Sequence, residues 1–375
     1  MKILPRVLHL IDHMGSGGAQ RVLAGLVESR NRASATSVVS LRSHCLPELR
    51  ERMAACGASY RELGLSHWNP LPLPTIGRAF REVHADVIHS HLEFSNELAV
   101  LAARSLGRDR PAVIVHVHNF PDRHYSRLHR GMGRMLASRT DAYIAPSAGI
   151  ADSIRTAFGR GVRRVEIIPY AIESAWFDRG PNELSVARRS SAAPVIGTVA
   201  RLAPQKSVHD LIDAMPFVLQ TRPAARLLIV GDGPLRSDLE AQCRRLGIGD
   251  SVTFAGYSHD VAAAYAAIDI FVLPSRHEGL PICLLEVMAM GIPVVGTRVP
   301  GISELIENER TGLDVPYGDP KALAVAVLRL LTDEPLCDRL WRAARQSIKD
   351  NYTSSAVAGR VEELYVDLCA KKSQA

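Results

Sequence analysis

The chain contains 375 residues, of which 47% are hydrophobic and 22% are charged. This balance excludes a largely disordered protein, and at roughly 150 residues per domain the length predicts two domains. The formal net charge of +6 and the pI of about 9.1 favour anionic partners such as nucleotide phosphates or acidic lipid head groups. Six cysteines without a C-x-x-C pair are typical of reduced cytosolic thiols, and they argue against a disulfide framework or a zinc site.

The first apolar segment, Ile3 to Ile11, is interrupted by Pro5, Arg6 and His9, so we predict a β-strand there rather than a signal peptide. No uncharged apolar run approaches the roughly 18 residues that span a bilayer. We therefore expect a cytoplasmic protein whose membrane contact, if it has any, is peripheral.

Strand-like and helical patterns alternate along the first half of the chain. The predicted strands are Arg6–Ile11, Ser34–Leu41, Asp86–His91, Ala112–His118 and Ala142–Ala145, and the predicted helices are Ala19–Ser29, Leu46–Cys56 and Asn96–Ser105. Such alternation indicates a parallel sheet with right-handed crossovers.

The second half repeats this rhythm. Its predicted strands are Val195–Val199, Arg226–Val230, Val252–Phe254, Ile270–Leu273, Pro293–Gly296 and Gly312–Val315, and its predicted helices include Val208–Leu219 and Lys321–Leu331. We expect Pro216 to kink or shorten the Val208–Leu219 helix.

Two such series predict an α/β protein with two Rossmann-like domains. Residues 1–172 form the N-terminal domain, 173–194 a linker rich in Ser, Arg, Pro and Asn, and 195–350 the C-terminal domain. Residues 351–375 form a helix that we expect to pack back on the N-terminal domain. Open α/β sheets bind ligands at the carboxyl ends of their strands, so we expect the site in a cleft between the domains.

The segment from Ser275 to Glu286 follows a predicted strand and opens a helix, with Pro281 suited to its first turn. The free N–H groups at such a helix start form an anion site for a diphosphate. Glu286 lies among apolar helix residues, where its carboxylate can accept two hydrogen bonds from a ribose diol. Taken alone, Glu286 could equally be a solvated helix residue and Glu278 a cap.

Two cations follow the predicted strand Val195–Val199. Arg201 and Lys206 lie five positions apart, so both can converge on one anion at the carboxyl edge of the sheet. They would stabilise the developing charge of a diphosphate leaving group without a metal. The alternative is an exposed basic loop.

The turn Gly15–Gly18 follows the first strand and can cradle a phosphate, although it can equally be a tight turn alone. It lacks the third glycine of a dinucleotide fingerprint, which disfavours an NAD-dependent oxidoreductase.

Four histidines mark the ends of two predicted strands: His89, His91, His116 and His118. We expect alternation along a strand to place the members of each pair on opposite faces, so that only one of each pair lies near the site. No carboxylate or cysteine shares their spacing, and we therefore predict no metal centre. His89 and His116 are equally well explained as packed core residues.

These segments resemble the retaining GT-B glycosyltransferases of family 4. Glu278 and Glu286 match the family's "E-G-x-P…E" pattern, and the segment from Arg201 to Lys206 matches "G-R-L…K-G", with Ser207 in place of the usual Gly. The turn at Gly17 matches "G-G-A-E-R", with Gln20 in place of Glu. The family's "V-I-P-N-G-I-D" segment is also present, with Tyr170 and Ala171 in place of Asn-Gly.

The resemblance implies a GT-B fold, in which two Rossmann-like domains with parallel sheets face a central cleft. It implies that Arg201 and Lys206 bind the diphosphate, that Glu286 holds the ribose, and that His118 lies beside the donor sugar. It places donor contacts at Glu278, Gly279, Leu280, Pro281 and Ile282, and at Gly17 and Gly18.

The expected activity is retaining transfer of a hexose-type sugar from a nucleotide diphosphate sugar to a glycan or lipid-linked acceptor, in surface polysaccharide or glycoconjugate biosynthesis. UDP-sugars are favoured as donors, GDP-mannose stays open, and neither a metal cofactor nor a nucleic-acid partner is expected. The alternatives are a sugar-nucleotide epimerase or phosphorylase of the same fold, or a non-catalytic scaffold subunit.

A further pattern bears on the acceptor. Residues 123–136 are predicted to form one basic helix, in which Arg123, Arg127, Arg130 and Arg134 make a single cationic stripe beside an apolar side. Basic amphipathic helices lie on anionic membrane surfaces, which would suit a lipid-linked acceptor. The alternative is a half-buried helix with a solvated arginine face.

Overall fold

The computed structural model describes residues 4–15, 17–30, 35–65, 72–107, 110–179 and 193–373, so Ser16 and residues 180–192 of the predicted linker lie outside the described residues. The chain forms two compact units. One comprises Met1–Ala171 with Ser354–Ala375, and the other comprises Ile172–Thr353. Each contains a parallel β-sheet combined with helices, which confirms the predicted α/β class.

In the N-terminal unit the described residues form a sheet of order β3-β2-β1-β4-β5-β6-β7, parallel throughout. Its strands are β1 Val7–Ile11, β2 Thr36–Ser40, β3 Ser59–Glu62, β4 Val87–His91, β5 Ala112–His116, β6 Ala142–Ala145 and β7 Val165–Ile167. Its first helices are α1 Gly18–Ser29, α2 Pro47–Ala55, α3 Pro72–Glu82, α4 Glu93–Arg104, α5 Pro121–His124, α6 Arg127–Ala137 and α7 Ala148–Phe158.

The second unit has a parallel sheet of order β10-β9-β8-β11-β12-β13 within the described part of the chain. Its strands are β8 Val195–Val199, β9 Arg226–Val230, β10 Val252–Gly256, β11 Ile270–Leu273, β12 Val294–Thr297 and β13 Leu313–Val315. Its helices are α8 Ala175–Asp178, α9 Val208–Thr221, α10 Arg236–Arg245, α11 Val261–Ala266, α12 Ile282–Ala289, α13 Pro320–Thr332 and α14 Glu334–Asn351.

Helix α9 continues past Pro216 to Thr221, so of the two expected effects, a kink or a shorter helix, the shortening does not occur. Proline removes one backbone hydrogen bond from a helix. The buried side chains of Leu211, Met215 and Val218 lie on both sides of this position and hold the helix in the core of the unit. Apolar burial of this kind outweighs a local loss of one bond.

The predicted single basic helix over residues 123–136 is also wrong. The segment forms α5 and α6, which are interrupted at Tyr125 and Ser126. Tyr125 is buried in the core, and the Ser126 hydroxyl caps α6 by accepting a hydrogen bond of 3.2 Å from the His129 backbone N–H. Serine is a favoured N-cap, so this residue starts a new helix rather than continuing the old one.

The last helix, α15 Ser354–Ser373, belongs to the N-terminal unit and covers one face of its sheet. Its buried residues Val361 and Leu364 belong to the same apolar cluster as Val7 and Ile114 on β1 and β5. Strands buried on both faces have continuous apolar sequences, which explains the apolar character of β1 and β5. Among the described residues, no helix has both the length and the apolar composition that crossing a bilayer requires.

A buried ion pair fixes α15 to the rest of the unit. The Nε of Arg30, whose side chain is 2% exposed, lies 2.5 Å from Glu362 Oε1 on α15. The same guanidinium donates to Thr36 Oγ1 and to the Pro5 carbonyl, and it lies 5.1 Å from the centre of the Tyr365 ring. Arg30 therefore joins α1, β2 and α15.

Glu362→Ala should lower the free energy of unfolding of the N-terminal unit by roughly 3 kcal/mol, because it leaves a buried guanidinium without its counter-ion. The matched control is Lys371→Ala, which removes an exposed partner of Asp367 on the same helix and should cost less than about 1 kcal/mol. Hydrogen exchange of the α15 amides measures both losses, and equal losses would contradict the role given to Arg30.

Candidate functional site

Two loops of the second unit meet at the carboxyl edge of its sheet. Strands β8 and β11 are parallel neighbours, so the loops that follow them lie side by side. The Gln205 carbonyl accepts a hydrogen bond of 2.8 Å from the Arg276 N–H, and the Gln205 side-chain amide donates to the His277 carbonyl at 3.0 Å. These bonds hold the two loops together.

The predicted site residues Lys206 and Glu278 form an ion pair between these loops. Lys206 Nζ lies 2.6 Å from Glu278 Oε1, and the Ser275 hydroxyl donates to the same oxygen at 2.6 Å. The Glu278 side chain is only 7% exposed. Glu278 is therefore a buried carboxylate with two donors, and the alternative of a helix cap does not describe it.

The charge state of Lys206 follows from two opposing effects. Burial lowers its pKa, but the Glu278 carboxylate raises it, and the result is a pKa above the ordinary value. Lys206 is therefore an ammonium ion at neutral pH. The neighbouring thiol of Cys283 stays protonated, because burial raises its pKa to about 12.

Glu286 lies on α12 and is buried, so the alternative of a solvated helix residue is excluded. Its Oε2 accepts a hydrogen bond of 2.7 Å from the hydroxyl of Tyr265. Tyr265, in turn, packs its ring against Trp176 and Phe271. The carboxylate is thus held in a fixed orientation by a tyrosine that is itself fixed in the core.

The backbone of the glutamate loop is shaped by a close approach to Gly301. At this residue φ is +85°, and a Cβ would lie 2.2 Å from the Glu278 carbonyl oxygen and 2.7 Å from that of Gly279. Only glycine fits such a contact. The segment continues through Leu280, which is buried, and Pro281, which precedes the first turn of α12 at Ile282.

Arg201 is exposed, in the loop that follows β8. The loop packs on the turn after β9: the Leu202 N–H donates to the Asp232 carbonyl at 2.9 Å. A Cβ on Gly233 would lie 2.5 Å from the Leu202 carbonyl oxygen. The Gly231–Pro234 turn therefore supports the loop that carries Arg201 and Lys206.

In the N-terminal unit, Gly17 and Gly18 lie after β1, at the start of α1. Gly17 precedes the helix, and Gly18 is its first residue. A Cβ on Gly17 would lie 2.3 Å from Oε1 of Gln20, whose side-chain amide donates to the His13 carbonyl at 3.3 Å. The buried Gln20 side chain therefore folds back over the turn.

The histidines at the ends of β4 and β5 lie on one face of the sheet, so the expectation of opposite faces is wrong. Residues two apart on a strand point to the same side, and the rings of His89 and His91 stack with their centres 4.4 Å apart. The strand register adds His9, which is paired with His89, and His116, which is paired with His91. His9 was not predicted as a site residue, although its position in the buried strand β1 carried the signal.

Hydrogen bonds link these rings into two chains. In the first, Tyr365 Oη lies 2.6 Å from His89 Nδ1, and His89 Nε2 lies 3.2 Å from His116 Nδ1. In the second chain, His9 Nδ1 lies 3.2 Å from His91 Nε2, His91 Nδ1 lies 3.3 Å from His118 Nε2, and His118 Nδ1 lies 2.9 Å from Tyr170 Oη. Burial lowers the pKa of His9 and of His118 to about 3, so these rings are neutral at physiological pH.

His118 is partly exposed and lines a cavity of about 470 Å³ within the N-terminal unit. Other lining residues include Asp12, Glu93 and Arg42. Both ring nitrogens of His118 are already engaged, with His91 and Tyr170. His118 therefore connects the histidine rings of the core to this cavity.

Comparison with known proteins connects both units to sugar transfer. Residues 16–176 match the family model Glycosyltransferase Family 4, and residues 193–333 match Glycosyl transferases group 1. A glycogen synthase of Mycobacterium tuberculosis is 32% identical over 242 residues, covering 64% of this chain and 56% of that protein. The match thus spans about half the length of that relative.

Two further similarities cover most of the chain. The GDP-mannose-dependent alpha-(1-6)-phosphatidylinositol monomannoside mannosyltransferase of Mycobacterium tuberculosis is 28% identical over 328 residues, covering 83% of this chain and 84% of that protein. The crystal structure of Anabaena Alr3699/HepE in complex with UDP superimposes with a TM-score of 0.81 at 20% identity, covering 96% of this chain and 99% of that one. The fold is therefore GT-B.

The two parallel-sheet units and the buried glutamates of the second unit define a GT-B protein with the residues expected of a sugar-nucleotide site. With both halves matched to the corresponding family models, the chain belongs to the family 4, group 1 glycosyltransferases.

Gly301→Ala should destabilise the second unit by about 1–3 kcal/mol beyond the cost of a positive φ, because its methyl group displaces the Glu278 carbonyl. Gly318→Ala is the matched control: φ there is +75°, but a Cβ meets nothing within 4 Å, so only the backbone cost of roughly 1 to 2 kcal/mol applies. Urea unfolding followed by tryptophan fluorescence measures the difference. Equal destabilisation of the two variants would contradict the proposed clash between the added methyl group and the Glu278 carbonyl.

Proposed function

We propose that the chain is a retaining glycosyltransferase, which moves a hexose-type sugar from a nucleotide diphosphate sugar to a glycan or lipid-linked acceptor. The observation that carries this proposal is the buried pair of Lys206 and Glu278, one helix turn and a short loop away from the buried Glu286. Family membership supports sugar transfer as the class of reaction and retention as its stereochemical course.

The chemistry of the leaving group favours this arrangement. Departure of a nucleoside diphosphate places negative charge on phosphate oxygens, and a preorganised cation stabilises that charge without further reorganisation. Lys206 is held in place by Glu278 and remains charged, and Arg201 is exposed on the same loop to supply a forked second contact. We propose that these two cations replace a divalent metal.

The two glutamates have different tasks in this proposal. Glu286 is held by Tyr265 and can accept hydrogen bonds from the hydroxyls of the ribose. Glu278, with the backbone of Gly279, Leu280, Pro281 and Ile282 beyond it, would contact the transferred sugar and the phosphates. The buried carboxylate of Glu278 orients Lys206 before the donor arrives.

For the donor, we favour a UDP-sugar over GDP-mannose. Support for UDP is the similarity over 96% of this chain to HepE, whose crystal structure holds UDP. Support for GDP-mannose is the similarity to the GDP-mannose-dependent mannosyltransferase. UDP- and GDP-sugars differ in their base, so the residues around the base would select between them. An assay with both kinds of donor tests this choice directly.

A panel of UDP- and GDP-sugars, assayed for release of nucleoside diphosphate in the presence of EDTA, tests the proposal. We expect release from a UDP-sugar in the chelator, and an NMR spectrum of the product that shows the anomeric configuration of the donor. Activity that disappears in EDTA and returns only with Mg²⁺ or Mn²⁺ would contradict metal independence. No release from any donor would favour a scaffold subunit.

Lys206→Ala should reduce turnover by about two to three orders of magnitude, which is the usual effect of removing one charge-stabilising group. Lys349→Ala, which removes an exposed lysine of α14, is the matched control and should leave turnover unchanged. Glu286→Gln, by contrast, should raise the donor KM more than it lowers kcat. Normal turnover in a folded Lys206→Ala variant would contradict the proposal that this loop stabilises the leaving group.

We further propose that the acceptor is presented at an anionic membrane surface. Leu128 and Met135 lie seven residues apart on α6, hence on one face, and they are 72% and 52% exposed. Arg127 and Arg134 lie next to them in the sequence and are exposed. Although the predicted stripe is divided between two helices, α6 alone retains an apolar face with flanking cations.

Sedimentation with vesicles tests this surface. Binding should require anionic lipid and should fall when Arg123, Arg127, Arg130 and Arg134 are changed to Gln, with roughly 1 kcal/mol lost per cation near the lipid. The charge-matched control changes the exposed arginines Arg244, Arg245, Arg310 and Arg342 of the second unit to Gln. If equal amounts of protein sediment with neutral and anionic vesicles, or if the two variants lose equal binding, the membrane proposal is contradicted and a soluble acceptor is favoured.

A further inference from the structure

The hydrogen-bonded histidines of the N-terminal unit form one cluster, which comprises His9, His89, His91, His116 and His118. This histidine cluster contains converging ring nitrogens that the proposed sugar transfer does not explain. His91, His116 and His118 each bring one ring nitrogen within 4.8 Å of the other two. The His91 Nδ1 and His118 Nε2 atoms are 3.3 Å apart. Two nitrogens that each lie about 2.0–2.1 Å from a tetrahedral zinc ion are separated by about 3.3–3.4 Å.

The opposite nitrogen of each of these rings already has a partner. His118 Nδ1 is hydrogen-bonded to Tyr170 Oη, His116 Nδ1 to His89 Nε2, and His91 Nε2 to His9 Nδ1. Histidines that ligate metals almost always use their second nitrogen in this way, because the outer bond fixes both tautomer and ring orientation. In each ring, therefore, one nitrogen converges with those of the other two rings, and the opposite nitrogen is held by a hydrogen bond.

His116 supplies the most direct sign of a missing partner. Its Nε2 is buried and has no hydrogen-bond partner among the described residues. A buried polar atom without a partner costs about 1–3 kcal/mol, which a ligand at that position would recover. Burial also lowers the pKa of His91 and His116 well below the ordinary value, so these rings carry a lone pair rather than a second proton.

Of the three histidines, His118 is the one that reaches a cavity. His118 is partly exposed and lines the cavity of about 470 Å³, while His91 and His116 lie behind it in the core. An ion entering the cavity would meet His118 first. Three histidines leave the fourth position of a tetrahedral ion open to water or another ligand.

We propose that His91, His116 and His118 form a binding site for a divalent transition-metal ion of the zinc type. Neutral imidazoles without carboxylates favour such ions over Mg²⁺ or Ca²⁺, which prefer oxygen. The expectation of no metal centre rested on the lack of a carboxylate or cysteine at matching spacing, whereas three histidines alone can hold such an ion. The proposed ligands belong to the N-terminal unit, whereas Arg201 and Lys206 belong to the second unit.

The test uses full-length, tag-free protein that has been stripped with EDTA and dialysed. Titration with Co²⁺ should produce visible absorption bands that saturate at one ion per chain and disappear on addition of Zn²⁺, whereas Mg²⁺ should not compete. His116→Gln should abolish the bands. Tyr170→Phe, which removes only the outer hydrogen bond to His118, should weaken binding by about ten- to a hundredfold.

The control is His259→Gln, which changes an exposed histidine of the second unit and should bind Co²⁺ as the unmodified protein does. Circular dichroism establishes that each variant is folded, and Tyr170→Phe keeps the test valid if His116→Gln fails to fold. The proposal is overturned if the unmodified protein binds no Co²⁺ at one equivalent, as expected if water satisfies His116. Binding by Tyr170→Phe and His116→Gln that equals that of the His259→Gln control would also overturn it.

Discussion

Parallel strands that are buried on both faces must all end at the same edge of their sheet, and both candidate sites depend on this constraint. In the second unit the strand order reverses direction between β8 and β11, and the loops after these two strands carry Lys206 and Glu278. In the N-terminal unit the order reverses between β1 and β4, and the chain places Gly17 and His91 there. Ligands of open α/β sheets bind at such reversals, because the crossover helices diverge to opposite faces and leave a crevice.

The two candidate sites bury polar groups in opposite ways. The second unit buries charges and pairs them, as Lys206 does with Glu278. A buried ion pair is weak evidence for stability, since the cost of desolvating both ions can exceed their attraction, and its retention beside Glu286 fits a binding role better than a structural one. The histidine cluster of the N-terminal unit instead buries neutral imidazoles, which avoid the cost of a charge but need partners for both ring nitrogens. Within the described part of the chain, His9 and His116 each lack one of them.

The sequence predicts well what depends on local pattern. The alternation of strands and helices, and the glutamate motif at the end of β11, are visible because apolar periodicity and loop position are local properties. The placement of His89 and His91 on the same face was also predictable, because residues two apart on a strand point to the same side. The prediction was wrong because it placed such residues on opposite faces. The interruption at Ser126 left a signal too, since a serine before a helical pattern is a preferred cap.

Other contacts lie beyond local pattern. His89 meets Tyr365 across 276 positions, and Arg30 meets Glu362 across 332, so neither pair follows from spacing. Both depend on α15 covering the sheet, which only tertiary packing decides. The pairing of His9 with His89 likewise depends on the register of β1 and β4, which is set when their apolar faces are buried together.

The residues that depart from the family pattern show where this chain differs from its relatives. Ser207 occupies the usual glycine position with a φ of +47°, so the left-handed geometry beside Lys206 is kept at some cost in strain. Gln20 replaces a carboxylate, and its amide bonds the His13 carbonyl, which a carboxylate could not do. Tyr170 brings a phenol to His118. Two of these departures, Gln20 and Tyr170, thus lie in the N-terminal unit and set the polar contacts there.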